Sequence, residues 1–109
     1  SVAEQAAAMM ERDKLGWFPG HAGGYETAAM MAVAGELVRE DRLPKDEDHP
    51  LPKFYAFGKG LSVQKTGEWG RIDGYTDAPV KATPAIGQEL VDRIVEDVAA
   101  AIVAFHEGV

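Results

Sequence analysis

This sequence predicts an incomplete layered domain. Three observations point there: three amphipathic helical segments, only two short extended pieces between them, and no sheet large enough for the helices to cover. The first helix opens the chain. Ser1-Val2-Ala3-Glu4 has the spacing of a capping box, and Val2, Ala6 and Met9 or Met10 give one apolar face that ends near Lys14. Ser1 reads as an N-cap. Its alternative reading is an N-terminal nucleophile left by self-cleavage of a precursor, with its own amine as base.

A second helix is expected from about Thr27 to Glu40, where Met30, Val33, Ala34, Leu37 and Val38 recur at three- and four-residue intervals, with Gly35 weakening it. The methionines read as core filler. The run from Asp41 to Pro52 holds three prolines and six charges and reads as a solvated loop, its acids at 46–48 beside His49 being too close in sequence to converge on a metal. Phe54–Phe57 and Leu61–Gln64 look like short extended arms around Gly58-Lys59-Gly60. From Lys65 to Pro79 the pattern is irregular, with glycines spacing Trp69, Arg71, Asp73 and Tyr75; such a segment is surface coil, a cover over a pocket or a contact to a neighbour. Thr83-Pro84 then starts the third helix, and Ile86, Leu90, Ile94, Val98, Ile102 and Phe105 mark one face over about 20 residues. Asp92, Glu96 and Asp97 fall off that stripe, and His106 suits the negative pole at the helix end.

Composition narrows the function classes. A chain of 109 residues makes at most one domain, and one of this size buries only about two-thirds of its unfolded surface. The 18 acidic residues against 11 basic ones give a net charge of −7, which argues against nucleic acid. There is no cysteine, so disulfides, thiolate nucleophiles and cysteine zinc sites are excluded. Without an apolar run of about 18 residues or a signal-like start, the reading is a soluble, cytoplasmic protein that engages no membrane.

Chemistry concentrates between Gly16 and Thr27, where His21, Glu26, Trp17 and Tyr25 crowd into a glycine-rich turn. The turn places His21 on a tight loop and Glu26 in the first turn of the following helix. Bare backbone at Gly20, Gly23 and Gly24 lets a ligand approach the main chain, and helix-start amides favour negative charge. The stretch is therefore an address for an anionic or oxyanion-forming group. Read alone, one histidine and one acid fall short of the three ligands of a catalytic metal site, and a loop histidine bonded to backbone remains the plain alternative.

Gly16-Trp17, then His21-Ala22-Gly23-Gly24-Tyr25-Glu26-Thr27, then Glu36-Leu37-Val38, resembles the creatininase (creatinine amidohydrolase) family, and Ala82-Thr83-Pro84-Ala85-Ile86-Gly87 with its long helix resembles that family's last helix. The resemblance implies an α/β fold, a three-layer α/β/α domain with a mainly parallel sheet, of which residues 1–109 form the C-terminal portion. It implies hydrolysis of a small amide, cyclic amides included, with a pair of divalent metals, zinc or manganese. Most metal ligands would lie in an N-terminal half: a Glu-x-His pair, an Asp and a His near an Asn. By the same resemblance His21 is the catalytic histidine that passes a proton to the leaving nitrogen, Trp17 walls the substrate pocket together with the bare backbone at Gly23, and Glu26 stands at or beside the metals. Ala28 and Ala34-Gly35 depart from the family pattern, so amide chemistry is implied without creatinine itself as substrate.

The expected partners are accordingly an N-terminal chain of the same domain, produced by cleavage or by a split gene, and a homo-oligomer of the completed domain. Two rival readings are an N-terminal-serine hydrolase built on Ser1 and a non-catalytic helical subunit that binds through its apolar faces.

Overall fold

A computed structural model of the chain describes residues 2–16, 20–45, 49, 55, 56 and 62–108, and the frame they form is mainly helical. Helix α1 spans Val2–Arg12, α2 Gly24–Ala34, α3 Glu68–Arg71 and α4 Pro84–His106. Strands β1 (Tyr55–Ala56) and β2 (Ser62–Val63) pair antiparallel, Tyr55 opposite Val63 and Ala56 opposite Ser62. This pair is the centre of the two expected arms, whose remaining residues lie mostly outside the described ones. It is also the only sheet among the described residues, so the mainly parallel sheet of a three-layer α/β/α domain is not seen in them.

Helix α4 begins where Thr83-Pro84 places it: the Thr83 hydroxyl accepts a hydrogen bond from the Ile86 amide at 3.2 Å, and Pro84 takes the first helical position, where no amide hydrogen is needed. Helix α2 lies against its N-terminal half. Their closest approach is at Gly87, where an added Cβ would stand 1.7 Å from the Ala28 carbonyl oxygen. Only a residue without a side chain allows these helices to touch, and around the contact Ala6, Met9, Ala28, Met31, Ala82 and Leu90 form a buried cluster, edged by Tyr25, Val38, Leu43 and Ile86. Met9, Met10 and Met31 are buried filler, as expected, whereas Met30 points outward.

Helix α2 ends at Ala34, six residues before the expected Glu40. Ala34 leaves helical geometry at φ −154° and ψ 53°, and a single 3₁₀ turn, Gly35–Leu37, follows. The early stop turns the chain back so that Val38 and Leu43 reach the buried cluster, which a straight continuation would carry away from it. Tertiary burial here outweighs the three-to-four-residue periodicity. Helix α1 stops at Arg12, close to the expected end, and Lys14 at φ 53° turns the chain to bury Leu15 completely. The Arg12 guanidinium joins α1 to α4 by bonds of 3.2 and 2.9 Å to the two oxygens of Glu89. Among the described residues no helix is long and apolar enough to cross a membrane.

Candidate active site

The glycine-rich turn is held from behind by Thr76 and Asp77, both buried. Asp77 sits at φ 53°, a left-handed conformation that Asp tolerates better than most residues. Its Oδ1 accepts from the amides of Gly24 at 2.9 Å and Ala78 at 3.0 Å, while Oδ2 accepts from the Thr76 hydroxyl at 2.6 Å. Thr76 in turn grips His21 on both sides of its peptide unit: the Thr76 hydroxyl accepts from the His21 amide at 2.8 Å, and the Thr76 amide donates to the His21 carbonyl at 2.9 Å.

The glycines are required by this close approach. A Cβ on Gly23 would lie 2.3 Å from Asp77 Oδ1, and one on Gly16, at φ 106°, would lie 2.2 Å from Asp77 Cβ. The helix-start address for an anion is thus occupied from within, by the carboxylate of Asp77 at the Gly24 amide. Gly23 is buried beneath that carboxylate.

His21 faces outward. Its ring meets Trp69 edge to face, with centroids 4.9 Å apart and planes at 73°, and the Trp69 indole donates to Gln64 Oε1 at 2.9 Å. Glu26 accepts from the Ala22 amide, the backward reach of an acid in a first helical turn. Beside Glu26, Tyr25 is half-buried; burial first, and the neighbouring charge of Glu26 second, raise its phenol above the ordinary value, so it stays protonated at neutral pH. His21 and Glu26 line one open cleft of about 400 Å³, with Ala22 and Thr27 beside them and Met30, Leu37, Val38 and Leu43 as an apolar wall.

Of the residues singled out in the sequence, His21 and Glu26 therefore come together on one cleft; Gly23, expected as bare backbone against a substrate, is instead buried against Asp77 and does not line the cleft; Trp17 and Ser1 lie outside the described residues. Thr76 and Asp77 were not foreseen as parts of the site, and Trp69 was expected only within a segment read as coil, a cover over a pocket or a contact to a neighbour. The available signal was turn chemistry: an Asp two residues before Pro79, at the end of a glycine-spaced run, is a side chain suited to binding nearby amides. The 41–52 run also differs from a purely solvated loop at its one described aromatic residue. His49 is half-buried, stacks on Tyr75 with centroids 3.7 Å apart, and bonds through Nε2 to the Ile72 carbonyl at 2.7 Å. The acids at 46–48 are outside the described residues.

A metal pair does not fit the described residues on their own, since no group of three or more His, Asp or Glu among them converges. The cleft brings one of each kind, and one Glu26 oxygen is engaged by the Ala22 amide.

The model of the creatininase family, described as creatinine amidohydrolase, matches residues 1–102. The chain belongs to the creatininase family. No match is found among curated proteins or among solved structures. The family is one of hydrolases acting on amides, generally dependent on divalent metals and built on an α/β fold. The start of α4, which carries part of the resemblance in sequence, packs at Gly87 on Ala28 of α2, the helix that follows the glycine turn.

Proposed function

We propose that the chain furnishes one wall of the active site of a metal-dependent hydrolase of small amides, with His21 as the proton-transferring group. The observation that carries the reading is the shared cleft: in a creatininase-family chain, an exposed imidazole and a carboxylate line one cavity beside an apolar wall. In the reaction, water adds to the amide carbonyl, the C–N bond breaks, and the departing nitrogen takes a proton from the His21 imidazolium, which is restored from the water's own proton. Glu26 would stand at or beside the metals, its second oxygen available as a ligand. By the family resemblance Trp17 would wall the pocket, and Met30, Leu37, Val38 and Leu43 would take the apolar part of the substrate. The metals, zinc or manganese, would polarise the carbonyl; most of their ligands are assigned to residues outside 1–109.

Those residues would come from an N-terminal polypeptide that completes the domain, and the completed domains would assemble as a homo-oligomer. Exposed apolar side chains on α2 and α4, Val33, Val98, Ile102 and Phe105 among them, support a covering partner. Intact-mass analysis of the purified material should reveal a second polypeptide of about 120–150 residues. Hydrolysis of small cyclic amides should stop on chelation and return with Zn²⁺ or Mn²⁺. Activity that survives chelation but falls in Ser1→Ala would instead favour the N-terminal-serine reading.

A further inference from the structure

The segment between Trp69 and Asp77 carries more than a covering role. We infer that Thr76 and Trp69 are positioning residues for His21, Thr76 fixing its backbone and Trp69 its ring. The Thr76 side chain is fully buried, and its hydroxyl has one proton to give. Two acceptors are in reach, Asp77 Oδ2 at 2.6 Å and the His21 carbonyl at 3.4 Å. The shorter, charge-assisted bond takes the proton. The hydroxyl's lone pair is thereby turned to the His21 amide at 2.8 Å, and the Thr76 amide closes the ring of contacts on the His21 carbonyl. Asp77 is in turn locked by the Gly24 and Ala78 amides, so the orientation of the hydroxyl is set by groups that are themselves fixed.

The side chain of His21 is held separately. The edge-to-face contact with Trp69 leaves the imidazole exposed to the cleft while limiting its rotation, and the Trp69 indole is anchored by its bond to Gln64. A single loop residue is thus constrained at its amide, its carbonyl and its ring by residues more than forty positions later in the chain. Such restraint suits a group that must meet a substrate in one geometry. That catalytic consequence rests on the reading of His21 as proton carrier; the positional one does not.

The test uses Thr76→Val, which keeps the buried volume and removes the hydroxyl, with Thr76→Ser as rescue. Amide hydrogen exchange and the NMR shifts of the His21 ring protons are followed without any substrate. In Thr76→Val the His21 amide should exchange about 10-fold faster, the loss expected for one hydrogen bond, while the Met31 and Leu90 amides stay as in the wild type. The His21 ring shifts, set by the Trp69 ring current, should move, and Thr76→Ser should restore both. Trp69→Ala, at a position outside the buried core, should move the ring shifts and leave the His21 amide protected.

Unchanged exchange and shifts in Thr76→Val overturn the inference, as does equal acceleration at His21, Met31 and Leu90, which would mean a general loss of stability. If Thr76→Val does not fold, unchanged ring shifts in Trp69→Ala overturn it. Turnover of a panel of small cyclic amides, creatinine included, with Mn²⁺ is measured in parallel: about a 10-fold fall in kcat at constant KM is expected for Thr76→Val. A wild-type protein without turnover would count against the enzyme reading alone, and the exchange data would still decide the positioning.

Discussion

The corner where residues 20–24 meet residues 76–78 and the far half of α4 are built on opposite principles. At the corner every polar group named has a partner, the glycines leave no room for a side chain, and Leu15, Ile72, Thr76 and Pro79 are fully buried. Along α4 the same apolar stripe begins in the core, with Leu90 2 % exposed, and ends in the open, with Ile102 63 % and Phe105 83 % exposed. One helix thus carries both a finished and an unfinished interface. A periodic stripe reveals that a face wants to be covered; it does not say by what.

Substitutions put this contrast to the test. The largest effect is expected at Gly87, where any side chain enters the Ala28 backbone: Gly87→Val should destabilise the chain by more than about 3 kcal/mol in denaturant unfolding, or prevent folding. Next comes the paired comparison along α4. Leu90→Ala should cost about 2–5 kcal/mol, whereas Phe105→Ala in the 109-residue chain should stay within about 0.5 kcal/mol. If a completing polypeptide covers the far half, Phe105→Ala should cost about 3–5 kcal/mol in the assembled protein, and an equally small effect there would remove the argument for a cover.

A smaller loss, about 1 kcal/mol, is expected for Thr83→Ala, which deprives the Ile86 amide of its acceptor. The smallest effect concerns pH. Hydrogen bonds from Arg12, then Arg93, lower the Glu89 carboxyl below its ordinary value. A lowered folded-state value means that the contribution is present above the unfolded carboxyl's range and is lost as pH falls through the folded one. Unfolding titrations of Arg12→Ala should therefore converge with those of the wild type at acid pH and separate slightly at neutral pH. The pair is exposed, so the separation should shrink further with added salt.

Much of the helical frame was legible in the sequence. The Thr83-Pro84 start of α4, the first helix and the filler role of Met9, Met10 and Met31 follow from capping chemistry and spacing, which are local. The end of α2 was not, because Ala34 and Gly35 break it for the sake of burying Val38 and Leu43, a tertiary gain that no window of sequence contains. The site divides in the same way. His21 and Glu26 stand out because an unusual composition gathers them within six residues, and they do share a cleft; the helix start, expected to receive an anionic ligand, receives a carboxylate of the chain itself. That the anion is Asp77, and that Thr76 and Trp69 hold His21, depends on contacts across more than forty residues, which the spacing of a glycine-rich run does not encode.

The central claim is that the imidazole of His21 moves the proton in amide hydrolysis, and the most direct measurement compares turnover of a small cyclic amide by the wild-type protein and by His21→Ala at equal metal content. The account predicts a fall in kcat of about 10²-fold or more with the metal content unchanged. Turnover retained within a factor of about two would contradict it.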